Sequence, residues 1–372
     1  MPGQTMGIIG GGQLGQMMAL DAKQTGMKVI VLDPTPACPA GQCADKQIVA
    51  PYADRAAIEE LAEKSDVLTY EFENVDLAAL EAVSDRVAIP QGTKLLAITK
   101  HRLREKDFLH RAGCQTAPYQ AVSDAASLKA AVATIGYPAV LKTCQGGYDG
   151  HGQLVLKAAA DLEKAAPILA TGDAILEGWV NFKLECSVMV ARNPEGEITT
   201  FPVAENIHHN EILHETIVPA RISPATAKKA DQAARRIAAT LNLRGILGVE
   251  FFVDAAGEVY VNELAPRPHN SGHYTIEACN FSQFAIHNRA VWNWPLPKIS
   301  LLSPVVMVNV LGQHVASLRA QIGQHPTWHV HDYGKAEVRE NRKMGHVTIL
   351  TADLEATLKD VAASQIWHTE EA

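Results

Sequence analysis

The sequence predicts a chain of mixed α/β and α+β domains, and three features support this fold class. Residues 5–98 alternate strand-like and helix-like segments, as in a doubly wound unit with a parallel sheet. Residues 183–263 contain two long apolar hairpins with a helix between them, which indicates an antiparallel sheet. A glycine-rich segment at 146–152 separates two more strand-like runs, so we expect it at the tip of a hairpin.

The predicted elements fall into four groups, which we take as domains at 1–98, 99–182, 183–298 and 299–372. The first has strands TMGIIGG, KVIVLDP, DVLTYEFENV and VAIP, with helices at 13–25, from 55 and from 76. The second has helices RLREKDFLHRAG and 125–135, the strand pair YPAVLKT and GQLVLK, a helix from 159 and the strand AILEGWV. The third has hairpins ECSVMVARNPEGEITTFPV and GVEFFVDAAGEVYVNE, and helices ATAKKADQAARRIAATLN and TIEACNFSQFAIHNRAVW. The proline-bearing linker NWPLPKISLLSP then leads to a small α+β domain.

The composition narrows the class of function. A formal net charge of -8 over 372 residues lacks the cation density that binding to nucleic acid or to an anionic membrane would require. No apolar run approaches the ~18 residues of a membrane span, and we expect no signal peptide at the start. The six cysteines are scattered and lack C-x-x-C spacing, so we expect neither a zinc site nor disulfides. Cysteines without disulfides indicate a reducing compartment, and we expect a cytoplasmic location.

The first glycine-rich segment, GGGQLG at 10–15, has the pattern of a dinucleotide fingerprint, with Asp33 at the end of the next strand. A full dinucleotide site needs a second mononucleotide half, which is missing because the unit stops near residue 98. A dinucleotide oxidoreductase is therefore the weaker interpretation, whereas a single phosphate on this loop stays open. Glu71 and Glu73 end the third strand two residues apart, where they could face the hydroxyl groups of a sugar.

The second glycine-rich segment, GGYDGHGQ at 146–153, lies shortly after Lys142. Its glycines would let backbone N–H groups turn toward an anion, and the lysine would add a positive charge. It is not a Walker A loop, because no Lys-Ser or Lys-Thr follows the glycines and no helix begins after them. The segment predicts either a flap that closes over a phosphorylated ligand or a mobile surface hairpin.

Two acids face each other across the hairpin GVEFFVDAAGEVYVNE. With a two-residue turn at Ala256 and Gly257, Glu250 lies opposite Glu263 with Cβ atoms ~5 Å apart, and a longer turn would make the pair diagonal. The strands are too apolar for an exposed acidic patch, so either one acid is protonated or a divalent cation bridges them. A site with few oxygen ligands from the protein favours Mg²⁺, whose coordination would be completed by triphosphate oxygens. Asn262 could add its carbonyl oxygen.

Eight segments spanning residues 10–346 carry a resemblance to a known family: GGGQLGQM, YEFENV, LKTCQGGYDGHGQ, ILEGWVNFKLE, ENIHHNEIL, GVEFFV, NELAPRPHNSGH and YGKAEVRENRKMGH. The chain resembles the ATP-grasp superfamily and, within it, the 5-(carboxyamino)imidazole ribonucleotide synthetase family of purine biosynthesis. The resemblance implies an ATP-grasp fold with an N-terminal doubly wound pre-ATP-grasp domain, a glycine-flap lid and a small C-terminal domain.

The resemblance also implies a reaction. Such ligases use Mg²⁺, ATP and bicarbonate to carboxylate the exocyclic amine of 5-aminoimidazole ribonucleotide through carboxyphosphate. The products are 5-(carboxyamino)imidazole ribonucleotide, ADP and phosphate. A homodimer, and transfer of the labile product to a mutase, are expected from the family alone.

The site residues implied by the resemblance form four groups. ATP would contact Arg102, Lys142, Gly147, Tyr148, Asp149, Gly150, His151, Gly152, Gln153, Glu177, Gly178, Trp179, Val180, Glu185, His208, Asn262 and Glu263. Mg²⁺ would bind Glu250 and Glu263. Arg267 and His269 would hold bicarbonate and carboxyphosphate, and either Asp149 or a phosphate oxygen would remove the proton from the amine. The ribonucleotide would contact Gln13, Leu14, Glu73, Tyr148, Lys335 and Arg342, the last two at its 5′-phosphate.

Two alternatives accompany this interpretation. A formate-dependent glycinamide ribonucleotide formyltransferase has the same architecture but lacks the N-S-G-H ending after P-R-P-H, so residues 270–273 favour the carboxylating ligase. From other classes, the chain could be a dinucleotide oxidoreductase or a catalytically silent nucleotide-binding module.

Overall fold

The computed structural model describes residues 2–73, 75–146 and 152–367. The N-terminal strands are β1 (Thr5–Ile9), β2 (Lys28–Leu32), β3 (Lys46–Ile48) and β4 (Val67–Tyr70), and the helices are α1 (Gln13–Gln24), α2 (Arg55–Glu63), α3 (Leu77–Val83) and α4 (Lys94–Thr99). The four strands pair in parallel in the order β3-β2-β1-β4, which confirms the predicted parallel unit. The short β3 was not expected, and the predicted strand VAIP contributes only a bridge between Ala88 and Val67.

The second sheet carries the glycine-rich hairpin. Its elements are α5 (Arg102–Arg111), β5 (Tyr119–Val122), α6 (Ala125–Ile135), β6 (Ala139–Thr143), β7 (Gln153–Leu156), α7 (Ala166–Leu169) and β8 (Ala174–Gly178). The strands are antiparallel in the order β5-β8-β6-β7, and β6 and β7 form the predicted hairpin with Lys142 opposite Gln153. We call this the lid sheet. The predicted helix from 159 is a 3₁₀ helix (Ala159–Ala165) that leads into the short α7.

The third sheet has nine strands: β9 (Phe182–Arg192), β10 (Ile198–Thr200), β11 (Ala204–His209), β12 (Ile212–Val218), β13 (Gly245–Asp254), β14 (Val259–Ala265), β15 (Val305–Leu311), β16 (His329–Asp332) and β17 (Lys343–Leu350). Their order is β14-β13-β9-β11-β12-β15-β17-β16, with β10 paired to β9. We call it the large sheet. It runs without interruption from the third predicted domain into the fourth, through the pairing of β12 with β15. The exact domain boundaries stay predictions.

The helices of the large sheet are α8 (Pro224–Leu241), α9 (Thr275–Ala278), α10 (Gln283–Val291), α11 (Val315–Gln321) and α12 (Leu354–Ala363). The single helix predicted over TIEACNFSQFAIHNRAVW is wrong, because the chain becomes extended at Cys279 and begins a new helix at Gln283. The Ser282 hydroxyl accepts from the Ala285 N–H and caps this second helix.

Helix α10 joins the N-terminal unit to the rest of the molecule. It packs on α1, where the Asn288 side chain donates to the Met18 carbonyl oxygen at 3.0 Å and to Asp21 at 2.7 Å. Gln91 also donates to the Pro266 carbonyl oxygen at 3.1 Å. These buried contacts bring the carboxyl end of β4 to the segment that follows β14.

Candidate active site

The acids of the β13–β14 hairpin occupy opposing positions, although the turn differs from the predicted one. The turn contains three residues, 255–257, so the two-residue turn at Ala256 and Gly257 is wrong. Residues 262 and 263 of β14 form a bulge opposite Glu250, so β14 has one more residue than β13 at this point. The bulge offsets the longer turn, so the pair 262–263 lies opposite Glu250 and Glu263 keeps the register predicted for it.

Each of these acids has a positively charged or protonatable partner of its own. His269 Nε2 lies 3.0 Å from Glu250 Oε1, and Arg102 Nη1 lies 3.2 Å from Glu263 Oε2. Burial alone would raise the pKa of Glu250, but His269, with His208 and Arg267, holds it below its ordinary value. The sequence predicted that either one acid is protonated or a cation bridges them. The structure shows a third arrangement, in which side chains of the protein compensate both carboxylates.

The donor set at this hairpin fits Mg²⁺. Within the described ranges, no group of three or more histidine, cysteine or acidic side chains is placed to hold a metal ion. Mg²⁺ is commonly bound through one or two carboxylates together with phosphate oxygens and waters. Glu250 and Glu263 could supply the carboxylates, because they lie at opposing positions of the hairpin and the Glu263 side chain is 43% exposed.

The phosphate-binding lysine expected from the sequence lies in a buried cluster. Lys142 Nζ donates to Glu177 Oε2 at 2.6 Å, and Lys106 Nζ lies 3.0 Å from Glu177 Oε1. Lys106 Nζ also donates to the Asn262 carbonyl oxygen at 2.8 Å. The sequence predicted this carbonyl oxygen as a contact of the metal or nucleotide, but in the structure it accepts a hydrogen bond from Lys106. The cluster connects the lid sheet to the β13–β14 hairpin.

The resemblance implies that residues 177–180 meet adenine, chiefly through their backbone, and that Glu185 takes the ribose hydroxyl groups. Strand β8 ends at Gly178, and Trp179 follows it with 49% of its surface exposed. On the paired strands β9 and β11 of the large sheet, His208 Nδ1 lies 3.3 Å from Glu185 Oε2. Burial would lower the pKa of His208, but Glu185 and Glu250 raise it above its ordinary value. Glu185 and His208 thus form one polar pair, whereas Val180 lies beyond the end of β8.

Part of the predicted flap cannot be placed. Gly147, Tyr148, Asp149, Gly150 and His151 lie outside the described residues, so their roles stay predictions. Of the remaining flap residues, Gly152 has a φ of +76° and its carbonyl oxygen accepts from the Thr143 N–H at 2.8 Å, which closes the hairpin ahead of Gln153.

The residues expected at bicarbonate are each held by neighbouring side chains. Arg267 Nη2 lies 2.9 Å from Glu73 Oε1, so the guanidinium joins the N-terminal unit to the hairpin. His269 Nδ1 contacts the Ser271 hydroxyl at 2.8 Å, while its Nε2 contacts Glu250. The imidazole is therefore oriented from both ring nitrogens, as a group that must meet a small anion requires.

The expected 5′-phosphate site combines two cations from the C-terminal part of the chain. Lys335 Nζ donates to the Lys343 carbonyl oxygen at 2.7 Å and lies 5.5 Å from the centre of the Tyr333 ring. Arg342 Nη1 donates to the Glu337 carbonyl oxygen at 2.9 Å. Burial, with Arg342 and Lys343, lowers the pKa of Lys335 to about 8, although Glu71 opposes the shift. Lys335 therefore lies within electrostatic range of the glycine loop at 10–15.

The first glycine loop holds a carboxylate of the chain itself. Glu71 accepts from the Gly12 and Gly15 N–H groups, each at 2.5 Å. A Cβ on Gly15 would approach the Gly10 carbonyl oxygen to 2.5 Å, so this glycine is needed for close packing. In this structure the amides of Gly12 and Gly15 are thus bonded to Glu71, and a phosphate on this loop stays a prediction. The roles of Gln13 and Leu14 stay predictions.

The dinucleotide interpretation of this loop is also unsupported. Asp33, which would hold a ribose, accepts from the Gly11 N–H at 2.8 Å and from the Tyr52 hydroxyl at 2.5 Å. Both contacts are internal, and the parallel sheet ends at four strands among the residues described. Glu71, likewise considered for a sugar, is used to cap α1.

Two residues of the cleft were missed from the sequence, Glu105 and Lys106. Glu105 Oε2 accepts from the Leu264 N–H at 3.3 Å, and burial raises the pKa of Glu105 to about 8. A signal existed, since these residues lie three and four positions after Arg102 in one helix and therefore share its face. The sequence alone gave no reason to prefer them over the other charged residues of this helix.

Comparison with family models divides the chain into three consecutive regions. Residues 3–100 match the ribonucleotide synthetase preATP-grasp domain, 107–284 the ATP-grasp domain, and 305–360 the phosphoribosylaminoimidazole carboxylase C-terminal domain. These matches confirm the predicted fold class. None of the helices in the described part of the chain has the length and apolar character that a membrane-crossing segment needs.

Relatives with known names and structures cover almost the whole chain. The N5-carboxyaminoimidazole ribonucleotide synthase of Bacillus subtilis (strain 168) is 53% identical over 94% of this chain and 92% of its own length. A crystal structure of an N5-carboxyaminoimidazole ribonucleotide synthetase in complex with ADP is 51% identical, with a TM-score of 0.96 over 99% of this chain and 97% of that one. The N5-carboxyaminoimidazole synthase of Aspergillus clavatus, in complex with ADP and 5-aminoimidazole ribonucleotide, is 30% identical with a TM-score of 0.91 over 97% of each chain. The chain belongs to the N5-carboxyaminoimidazole ribonucleotide synthase family of ATP-grasp ligases.

Proposed function

We propose that this protein carboxylates the exocyclic amine of 5-aminoimidazole ribonucleotide with bicarbonate and ATP, giving N5-carboxyaminoimidazole ribonucleotide, ADP and phosphate. One observation carries the proposal beyond family membership. The cations expected at the triphosphate and at bicarbonate, Lys142, Arg102 and Arg267, are each paired with an acid. Arg102 of α5 pairs with Glu263 of β14, and Arg267, which follows β14, pairs with Glu73 of the N-terminal unit. Lys142 of the lid sheet shares its acid, Glu177, with Lys106 of α5, whose ammonium also donates to the backbone of β14. The three cations are thereby linked through β14.

The arrangement suits phosphoryl transfer from ATP to bicarbonate. Lys142 and Arg102 would meet the charge that develops on the transferred phosphoryl oxygens. When bound at Glu250 and Glu263, Mg²⁺ would supply further charge neutralisation at the phosphates. Arg267 can grip planar bicarbonate with two parallel hydrogen bonds, which a lysine cannot do.

The second step requires exclusion of water. Carboxyphosphate is short-lived in water, so it must meet the amine before solvent does. We assign this exclusion to the glycine-rich segment between β6 and β7, by analogy with the lid loops of other enzymes. We assign Asp149 to the amine of the ribonucleotide, and either this carboxylate or a phosphate oxygen accepts the proton.

A coupled assay of ADP release tests the function directly. We expect ADP to form only when both bicarbonate and 5-aminoimidazole ribonucleotide are present with Mg²⁺ and ATP. ADP release that needs formate and glycinamide ribonucleotide instead would establish the formyltransferase alternative. A protein that binds ADP but releases none under either condition would be a silent nucleotide-binding module.

The remaining partners are proposals of the same kind. We expect a homodimer and transfer of the labile product to a mutase, on the strength of the family resemblance. A reducing cytoplasm suits the six cysteines, which are free thiols in the structure.

Ribonucleotide binding should depend on the protonation of Lys335. Because its pKa is lowered to about 8, the ammonium is charged below that pH and is lost as the pH rises above it. We expect kcat/KM for 5-aminoimidazole ribonucleotide to fall about tenfold for each pH unit above 8, with kcat/KM for ATP unaffected. Initial rates from pH 6.5 to 10 give both profiles.

A matched variant isolates the lysine from other titrating groups. Arginine stays charged throughout this range, so Lys335→Arg should retain binding at high pH and lose the alkaline decline. An unchanged decline in Lys335→Arg would show that a different group is responsible.

A further inference from the structure

Lys106 is a buried lysine that no step of the proposed reaction uses. Its side chain is 2% exposed, and it lies on α5 one turn after Arg102. A buried ammonium is costly unless its charge is compensated and its N–H groups are bonded. Lys106 meets both conditions, through Glu177 on the lid sheet and the Asn262 carbonyl oxygen on β14.

The Glu177 carboxylate is shared between two lysines. Lys106 contacts one of its oxygens and Lys142 the other, and all three side chains are 13% exposed or less. Burial alone would raise the pKa of Glu177, but Lys106 and Lys142 lower it below its ordinary value, so the carboxylate is ionised. The three side chains together carry one net positive charge.

The sharing matters because Lys142 has a second task. On the proposed function, Lys142 must turn toward the phosphates of ATP, and its contact to Glu177 weakens as it does so. A carboxylate as buried as Glu177 would then lose its compensating charge unless another cation stayed in place. Lys106 can stay, because its other contact is to the backbone of β14 and not to a ligand.

We propose that Lys106 is a positioning residue that keeps Glu177 compensated while Lys142 moves to the nucleotide phosphates. The same ammonium holds the backbone of Asn262, directly before Glu263, so it links the phosphate lysine to the metal-binding hairpin. Without Lys106, Glu177 would retain Lys142 as its single cation and hold it away from the phosphates. This inference rests on the proposed ATP site.

Direct nucleotide binding tests the proposal. Calorimetric titration of the full chain with Mg²⁺ and ADP should show that Lys106→Met binds ADP about tenfold to hundredfold more weakly. A change of this size corresponds to the loss of one hydrogen bond between charged groups. Lys106→Gln keeps a donor for the Asn262 carbonyl oxygen but removes the charge, so we expect a similar loss. It also provides a second variant in case Lys106→Met does not fold. Lys229→Met is the matched control, because it removes the exposed pair with Glu258 and should bind ADP as the unaltered chain does.

A double variant separates this role from simple structural support. In Lys106→Met/Glu177→Gln, and likewise in Lys106→Gln/Glu177→Gln, no carboxylate remains to retain Lys142. We therefore expect the Kd for ADP to return to within about threefold of that of the unaltered chain. If Lys106 gave only structural support, the second substitution would weaken binding further instead of restoring it. Single Lys106 variants that bind ADP normally, or double variants that bind no better than the singles, would overturn the proposal. Failure of the unaltered chain to bind ADP would instead reject the proposed function.

Discussion

Glu263→Gln should lower the rate of ADP release by about a thousandfold while the protein stays folded. The carboxylate would hold Mg²⁺ against the triphosphate, and a neutral amide keeps the shape of the side chain but loses the charge. A metal at a reacting phosphate contributes several kcal/mol to transition-state stabilisation, which corresponds to about this factor in rate. Because the side chain is 43% exposed and its partner Arg102 is only partly buried, the cost in stability should be small.

Steady-state rates and urea unfolding of the same preparations check both parts of this prediction. Glu258→Gln is the control, since Glu258 lies in the same hairpin but pairs with Lys229 on the surface. We expect its rate to match that of the unaltered chain. Full activity in Glu263→Gln would reject the assignment of this acid to the metal, and loss of folding would leave Glu250→Gln to decide the assignment.

Arg267→Lys should reduce kcat/KM for bicarbonate by about a hundredfold without changing the KM for ATP. The guanidinium is held by Glu73 at 2.9 Å and also donates to the Pro268 carbonyl oxygen at 3.1 Å, so two protein contacts fix its position. An ammonium keeps the charge but cannot form two parallel hydrogen bonds to planar bicarbonate or carboxyphosphate. Loss of a charge-assisted hydrogen bond accounts for an effect of about this size.

Rates measured over a range of bicarbonate concentrations, at saturating ATP, give this value. Arg221→Lys is a suitable control because Arg221 is also paired with a glutamate, Glu205, but lies outside the proposed site. Arg267→Lys with the bicarbonate dependence of the unaltered chain would show that the forked geometry is unnecessary and that only the charge matters.

Much of the fold could be predicted because the local signals agree with the packing. The alternation of strands and helices at the start gave the parallel sheet, and the glycine-rich segment is bounded by β6 and β7 as expected. The break between α9 and α10 was missed because the apolar pattern continues through it, and only Ser282 marks the new helix. The three-residue turn and the bulge at 262–263 each shift the register by one residue and cancel each other. The periodicity of the sequence cannot reveal either irregularity.

The site could be predicted less completely, because ion pairs depend on residues that are far apart in sequence. The resemblance placed Glu177 and Glu73 in the site, but nothing in the sequence indicated that they pair with Lys142 and Arg267. The clearest example is the loop at 10–15, whose glycines indicated a phosphate. The structure instead places Glu71 on two of its amides, and a carboxylate 56 residues away from Gly15 has no local signal for this contact.

The most direct test of the central claim is a crystal structure of the full chain grown with ADP and Mn²⁺ in place of Mg²⁺. The account predicts an anomalous peak within about 2.5 Å of carboxylate oxygens of Glu250 and Glu263, beside the diphosphate and between the lid sheet and the large sheet. A nucleotide bound elsewhere, or a metal peak that touches neither acid, would contradict it.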